Sequence, residues 1–504
     1  MRLTCRWFLP ALASLVLLPS PTTARPAPAP AAERPWVEVK SPNFTIISDA
    51  GEKTARRVAW QFEQVRAVLQ RLWPWARVGM DRPVLVYAAR NEATLKVLLP
   101  EYWETRGAVH PASFFVTAPE RHYVALRTDV NEPDSVEANP YFQTYWSYVY
   151  LVVLASFEKP LPLWYARGVS DFFANTIVRS KDVQVGRIVP WHFRELRERP
   201  FLPLATVLAV DHRSPYMQRN EDMPRFDAAA WGLVHYLFFG EGGNNLQRFN
   251  KLSQAFIEGR DAQAALREIY GEADAIEAAV KDYIARNLFL YQKIALDVDV
   301  SEEGFRARTI TIAENRSAQA ALHAAMRRWA EARARAQEAI QADASLAAPH
   351  EVEGRVCDAE NNKDGALAAY GKAVSLGSTN FHAYYRHAQL LWRPSPDADT
   401  LAQMERSLTK AVELNASFAS AASYLADIKL SLDQPDAALV LARRAVSLEP
   451  GGSYHHATLA QVLGRLSKID EALQEANKAL TLATTVDARK RAEDTLARLN
   501  KMKK

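Results

Sequence analysis

Small residues recur through the C-terminal part of this 504-residue chain with a period that few folds can produce. Ala332, Ala366, Ala438 and Ala472 each stand seven positions before a second alanine, at Ala339, Ala373, Ala445 and Ala479. With Ala411 as the third member, successive second alanines are 34 residues apart, except that 38 separate Ala373 from Ala411. Ala320, Gly354, Ala388, Ala426 and Ala460 keep the same phase one helix earlier. Seven positions are close to two helical turns, so each alanine pair marks one face of a helix. Paired helices stack closely only where the crossing side chains are small, and no unit has a core until its neighbour covers it. The pattern predicts an all-α solenoid of five units, 313–346, 347–380, 381–418, 419–452 and 453–486, closed by a polar-faced capping helix and tail over 487–504. The third unit's extra length falls in the Pro-rich "RPSPDADT" between its helices.

A 34-residue period of this kind, with Pro450 where a second helix ends, resembles the tetratricopeptide repeat (TPR). In that family the first helices of successive repeats line a concave groove. The resemblance therefore implies a protein or peptide partner held near Glu351, Arg355, His382, Tyr385, Gln389, Arg393 and Tyr454. Their mixture of charges, amides and aromatics suits an extended peptide, and a solvated helix face has the same composition.

Residues 36–300 have a different grain. "WVEVK" and "FTIIS" read as strands, "GEKTARRVAWQFEQVRAVLQRLW" as an amphipathic helix, and "RPVLVYAA" as a short apolar strand. "ASFFVTAPERHYVALRT" reads as two strands joined at "APER". Helices are expected over 140–157, 162–177, 225–239, 244–257, 261–269 and 273–287. Strands first and helices later predict an α+β domain, a small mixed sheet plus helices.

That order, followed by "NPYFQTYWSYVYLVV", "LPLWYARGVSDFF" and "FDAAAWGLVHYLFF", resembles the peptidase-MA-like domain of gluzincin metallopeptidases over residues 36–290. This family is often fused to tetratricopeptide repeats in secreted bacterial proteins. Its motifs are His-Glu-x-x-His and Trp-x-x-Glu-Gly. The resemblance puts Trp146 and Tyr150 where two zinc histidines would stand, Ser147 at the catalytic glutamate, Arg167 at the third ligand and Asp171 at a second acidic position.

The chemistry needs two imidazoles on one helical face, a carboxylate to complete the tripod, and another to take a proton from bound water. Trp and Tyr supply no such ligand, Ser is no base at neutral pH, and a permanently charged Arg repels a dication. The resemblance thus implies a degenerate scaffold with no catalytic residue, metal or cofactor. Two readings of its cleft stay open. The aromatics fill the volume left by the metal and its ligands, or Arg167, with Asp171 one helical turn on, binds a peptide carboxylate.

Elsewhere the chemistry is sparse. The eleven histidines contain no His-x-x-x-His pair, and His235 in "AWGLVHYLFF" reads as a core histidine. "GEGGNN" at 240–245 lacks a Gly-Lys-Ser/Thr ending and reads as a helix stop. No Gly-x-Ser-x-Gly elbow surrounds any serine.

Residues 1–24 read as a secretory signal, with Arg2 and Arg6 ahead of "WFLPALASLVLL" and a small-residue site at Thr22-Thr23-Ala24; the Pro/Ala-rich "RPAPAPAAERP" at 25–35 then forms a tether. Removing both arginines lowers the formal charge from +4 to +2, too little to point to nucleic acid. No later apolar run is long enough to span a bilayer, and Cys357 is left without a disulfide partner. The expectation is a periplasmic or secreted, non-catalytic protein that binds or scaffolds partners. The competing classes are a hydrolase working through a rearranged site and a self-associating assembly subunit.

Overall fold

Alternating β-branched and aromatic residues build the central sheet, in which successive side chains point to opposite faces. A computed structural model describes residues 35–104, 110–131, 137–157, 159–240, 245–286, 289–295 and 304–503. The expected signal and all but the last residue of the tether lie outside these, as do residues 241–244 of "GEGGNN".

The strands are β1 (Val37–Lys40), β2 (Phe44–Ser48), β3 (Val84–Ala89), β4 (Ser113–Thr117), β5 (His122–Arg127), β6 (Ile177–Val178), β7 (Asp182–Val185), β8 (Gln292–Ala295) and β9 (Arg306–Thr309). Six form one mixed sheet in the order β4-β5-β3-β2-β1-β9, with β2, β3 and β5 parallel. Strands β6, β7 and β8 form a small antiparallel sheet.

The helices before the repeats are α1 (Glu52–Leu72), α2 (Glu92–Leu98), α3 (Phe142–Ser156), α4 (Leu163–Ala174), α5 (Pro190–Glu198), α6 (Leu204–Ala209), α7 (Pro215–Gln218), α8 (Met223–Phe239), α9 (Leu246–Ile257), α10 (Ala262–Tyr270) and α11 (Ala273–Ala285).

Strand alternation divides the core in two. Phe44, Ile46, Val84, Val86, Val124 and Leu126 face α1 and the helical layer containing α3, α4 and α8. Ile47, Leu85, Tyr87, Tyr123 and Ala125 face the opposite way, against Leu95 and Leu98 of α2. Ile310 and Leu322 complete this second cluster.

The repeats form five helix pairs. These are α12 (Ile312–Ala325) with α13 (Trp329–Ala342), α14 (Ala348–Ala359) with α15 (Lys363–Ser375), α16 (Phe381–Leu391) with α17 (Ala398–Leu414), α18 (Ala419–Ser431) with α19 (Pro435–Leu448), and α20 (Ser453–Arg465) with α21 (Ile469–Leu482). A last helix, α22 (Val486–Lys503), covers the open end, and Leu499 packs on Gly464. The second alanines Ala339, Ala373, Ala411, Ala445 and Ala479 are all fully buried.

The inter-helix turns obey the same period. Among the described residues, Arg327, Asn361, Asp433 and Ser467 are the non-glycine residues with positive φ, near 60°. Asn361 follows Arg327 by 34 residues and Ser467 follows Asp433 by 34. In the third pair, residues 392–397 form the longer Pro-containing connection instead.

The expected end of the sheet domain at residue 300 differs from the structure. β9 lies beyond residue 300, yet its backbone pairs with β1, and the first repeat helix α12 buries Leu322 against the sheet. No linker therefore separates sheet and solenoid, and both belong to one unit. "RART" lacks an apolar run because β9 is an edge strand, so periodicity missed it.

Candidate functional site

Two hollows contain residues singled out above. The first is a cleft of about 840 Å3 between the sheet's outer strand and helices α3, α4 and α8, lined by Trp146, Arg167, Asp171, Trp191, His192 and Asp227 among others. Helices α4 and α8 approach closely at Gly168, where a Cβ would come within 2.5 Å of the Ala230 carbonyl oxygen. That contact brings Asp227, one turn before Ala230, against Arg167. The guanidinium donates from Nε and Nη2 to the two Asp227 carboxylate oxygens at 2.6 and 2.7 Å. Its Cζ also lies 5.2 Å from the Trp146 ring centre, and Trp146 stacks on Tyr150 at 4.8 Å.

Asp171 instead meets His192, with Nε2 3.1 Å from Oδ1. Burial pushes the Asp171 carboxyl up, while His192 and Arg167 pull it down. Trp146, Tyr150 and Arg167 thus adjoin one another, but Asp171 is not the partner of Arg167. Tyr150 turns its other edge to a separate hollow with Leu154, Pro162 and Leu208. The Ser147 hydroxyl donates to the Gln143 carbonyl one turn earlier at 2.9 Å.

Both earlier readings of the cleft need correction. The aromatics do not fill it, and the Arg167 fork is already taken by a carboxylate of this chain, so a peptide carboxylate would have to displace Asp227. Among the described residues, no group of three or more His, Cys, Asp or Glu could hold a metal ion. His235 is buried between the Tyr283 hydroxyl and the Gly186 carbonyl, at 2.9 and 2.8 Å, and burial lowers its pKa to about 4.

The second hollow lies along the first helices of the repeats, and the sheet domain covers the neighbouring stretch of them. At the β4–β5 turn, the Glu120 carboxylate is 4% exposed and accepts from Arg355 Nη1 at 2.6 Å and from the Tyr123 hydroxyl at 2.8 Å. Glu351 accepts from Ser378 and Asn380 at 2.6 and 2.9 Å, and burial raises its pKa. His382 sits beside these charges, its pKa driven down to about 4 by burial. Asn415 Nδ2 donates to the Asp81 carbonyl at 2.9 Å, and Arg328 meets Glu101 at 3.1 Å. Arg355 is therefore not an open groove position, because the chain's own hairpin engages it, and Glu351 is tied to Ser378 and Asn380, while His382 lines a separate hollow of about 400 Å3 beside Pro119 of the hairpin. Arg393 is also elsewhere, donating to the Leu390 and Trp392 carbonyls at the end of α16.

Beyond the hairpin the groove opens to about 950 Å3, lined by Tyr385, Gln389 and Tyr454 as expected from the repeat phase. Trp392, Tyr424, Asp427 and Arg491 line it too. Asp427 accepts from the Tyr454 hydroxyl at 2.6 Å and from Arg491 Nη2 at 2.8 Å, and Arg491 lies 4.2 Å over the Tyr454 ring.

Sequence reasoning missed Asp427, although the signal was present. Arg355, Gln389, Asp427 and Gln461 each follow a first-helix small residue by one position. Arg491 comes from the capping helix, outside the repeat phase, and Asp227 and His192 reach the cleft only through tertiary packing.

Structures similar to the helical part are remote. YrrB, a TPR protein with an unusual peptide-binding site, is 19% identical, with 36% of this chain and 92% of that chain covered at a TM-score of 0.31. TTC0263, a thermophilic TPR protein in Thermus thermophilus, is 20% identical, with 37% and 99% covered at 0.27. MamA is 19% identical, with 34% and 91% covered at 0.28. No family model matches the chain, and no curated protein matches it. The repeat architecture rests on the 34-residue recurrence of helix pairs, buried alanines and left-handed turns.

Proposed function

We propose that this chain is an exported, non-catalytic scaffold that binds an extended polypeptide in the open half of its solenoid groove, and that its sheet domain is a peptidase-like domain that has lost its metal site. The observation that carries this is the groove itself. An open channel of about 950 Å3 runs along the third, fourth and fifth repeats to the capping helix, with aromatic, amide and charged groups on its walls. A polypeptide turn of the same chain already occupies the neighbouring stretch through Glu120. The contiguity of Trp146, Tyr150 and Arg167 supports the degenerate-site reading, since three positions assigned to zinc ligands adjoin one another.

Selection of displayed peptides on the full chain tests the groove. Selected peptides should lose binding to a Tyr424→Glu variant, which places a charge on the groove floor. Failure to select any peptide, or peptides indifferent to that change, refutes the reading. The exported state is tested by sequencing the N-terminus of the protein recovered from the producing cell, where cleavage after Ala24 is expected.

One observation favours the second reading, a hydrolase with a rearranged site: the buried Asp171–His192 pair on the cleft wall. Stoichiometric zinc in purified protein, or peptide cleavage abolished by His192→Ala, would establish that alternative.

A further inference from the structure

The charges that line the open groove narrow the choice of ligand, on the reading above that the groove binds polypeptide. Hydrogen bonding alone does not choose one, because the lining groups are of both kinds. Ser431 and Ser453 donate to the Asp427 and Ala479 carbonyls at 3.0 and 2.8 Å, so their oxygens are left as acceptors. The Tyr385 hydroxyl accepts from Gln389 Nε2 at 2.8 Å and keeps a proton to donate.

Charge is distributed less evenly. Asp427, Glu449 and Arg491 line the groove, and Arg491 is committed to Asp427 at 2.8 Å. Asp81, Arg82 and Glu449 line the smaller hollow of about 400 Å3 beside the hairpin, where Arg82 Nε donates to Asp81 at 2.9 Å. In each hollow the arginine answers the aspartate. Glu449 lines both and is the carboxylate in excess.

Two histidines lie where they could offset it. Burial drives the pKa of His382 down to about 4, so that ring is uncharged at neutral pH. His455 Nε2 is 3.1 Å from a Glu449 oxygen, a bond that needs only one ring N–H. The His455 side chain is 4% exposed and its Nδ1 has no hydrogen-bond partner among the described residues, so a second ring proton would be buried without an acceptor. The bond from His455 also holds the Glu449 carboxyl below the ordinary glutamate range. Glu449 is thus an ionised, 59% exposed carboxylate whose neighbour satisfies a hydrogen bond without answering its charge.

The walls favour the same kind of ligand. Tyr385, Tyr424 and the half-exposed Trp392 line the groove, and aromatic faces attract cations as well as apolar surface. A lone carboxylate suits a side-chain cation, and among the described residues no cluster could hold a metal ion.

We infer that the ligand of this groove is a polypeptide segment carrying a lysine or arginine, whose side chain pairs with Glu449 where the groove meets the hollow beside the hairpin.

Peptides displayed as a library and selected on the full chain should be enriched in lysine and arginine over the unselected library. The best of them is then synthesised with blocked ends, and again with its basic residue exchanged for an uncharged relative, citrulline for arginine or norleucine for lysine. In calorimetric titration the exchange should weaken binding about fivefold on the unaltered chain, the size expected of an ion pair at a partly exposed carboxylate, and by less than about twofold on Glu449→Gln. That substitution removes the charge and keeps an oxygen for His455, so the melting curve should stay in place. Selected peptides that bind Tyr424-dependently without an excess of basic residues would overturn the inference and leave the groove reading standing. So would a discrimination that survives Glu449→Gln, which places the cation elsewhere. If no peptide is selected, the groove reading itself falls and the inference with it.

Discussion

Replacing Arg355 with alanine should loosen the solenoid from the sheet domain. The guanidinium side chain is 12% exposed and the Glu120 side chain 4%, and their 2.6 Å contact joins the β4–β5 turn to the second repeat. Removing the arginine leaves a carboxylate shut away from water with the Tyr123 hydroxyl as its remaining donor. Breaking such a pair from one side costs about 3 kcal/mol or more, most of it the penalty of the stranded charge.

If unfolding of the interface carries an m-value of about 3 kcal/mol/M in urea, the midpoint falls by about 1 M. A chain of this size need not unfold in one step, so the shift belongs to the transition in which solenoid and sheet separate. The decisive comparison is the double variant Glu120→Gln, Arg355→Met, which removes both charges together. It should be more stable than Arg355→Ala, and the two sites should be coupled by about 1 kcal/mol or more in a double-mutant cycle. Urea melts followed by far-ultraviolet circular dichroism supply each corner. A midpoint shift below 0.2 M for Arg355→Ala (about 0.6 kcal/mol at that m-value), or strictly additive effects, would show that the hairpin merely rests on the groove.

Gly168→Ala should lower stability by about 1–3 kcal/mol, because its Cβ would strike the Ala230 carbonyl, and a thermal melt should show the loss. Acidification should destabilise the core through His235. Its folded pKa of about 4 lies below the ordinary value near 6.5, so its contribution is fully present above about pH 6.5 and is lost as pH falls through about 4. A His235→Gln variant, less stable at pH 7, should show a flatter dependence of melting temperature between pH 7 and 4. The quadruple variant Trp146→His, Ser147→Glu, Tyr150→His and Arg167→Glu should take up about one zinc per chain by elemental analysis. Lack of uptake in a folded protein would count against the peptidase-like assignment of these positions.

The parts of this molecule legible in the sequence are those fixed by local period. The alanines at 339, 373, 411, 445 and 479 locate the helix pairs because a crossing with no room for a larger side chain leaves the same mark in every repeat. "FTIIS" matches the observed strand residue for residue, since alternation is also a local property. What escaped was set by distant segments. β9 is polar and gains its place only by pairing with β1. Asp227 reaches Arg167 because Gly168 lets α4 and α8 close up, and neither residue's surroundings announce the pair. Glu120 lies in the turn expected at "APER", yet its partner is 235 residues away.

These long-range contacts also bear on why the sheet domain would persist if, as proposed, it has lost a metal site. On the proposed reading, Trp146, Tyr150 and Arg167 occupy the former ligand positions without leaving Arg167 unpaired, because Asp227 satisfies it. The opposite face of the same sheet carries Tyr87 and Tyr123 against the α12 side of the solenoid, and its hairpin carries Glu120. That face cannot be removed without exposing Ile310 and Leu322 and stranding Arg355. The domain would thus be held in place by what it supports, independently of any chemistry in its cleft, and substitutions that clear the cleft should be tolerated far better than substitutions at the hairpin.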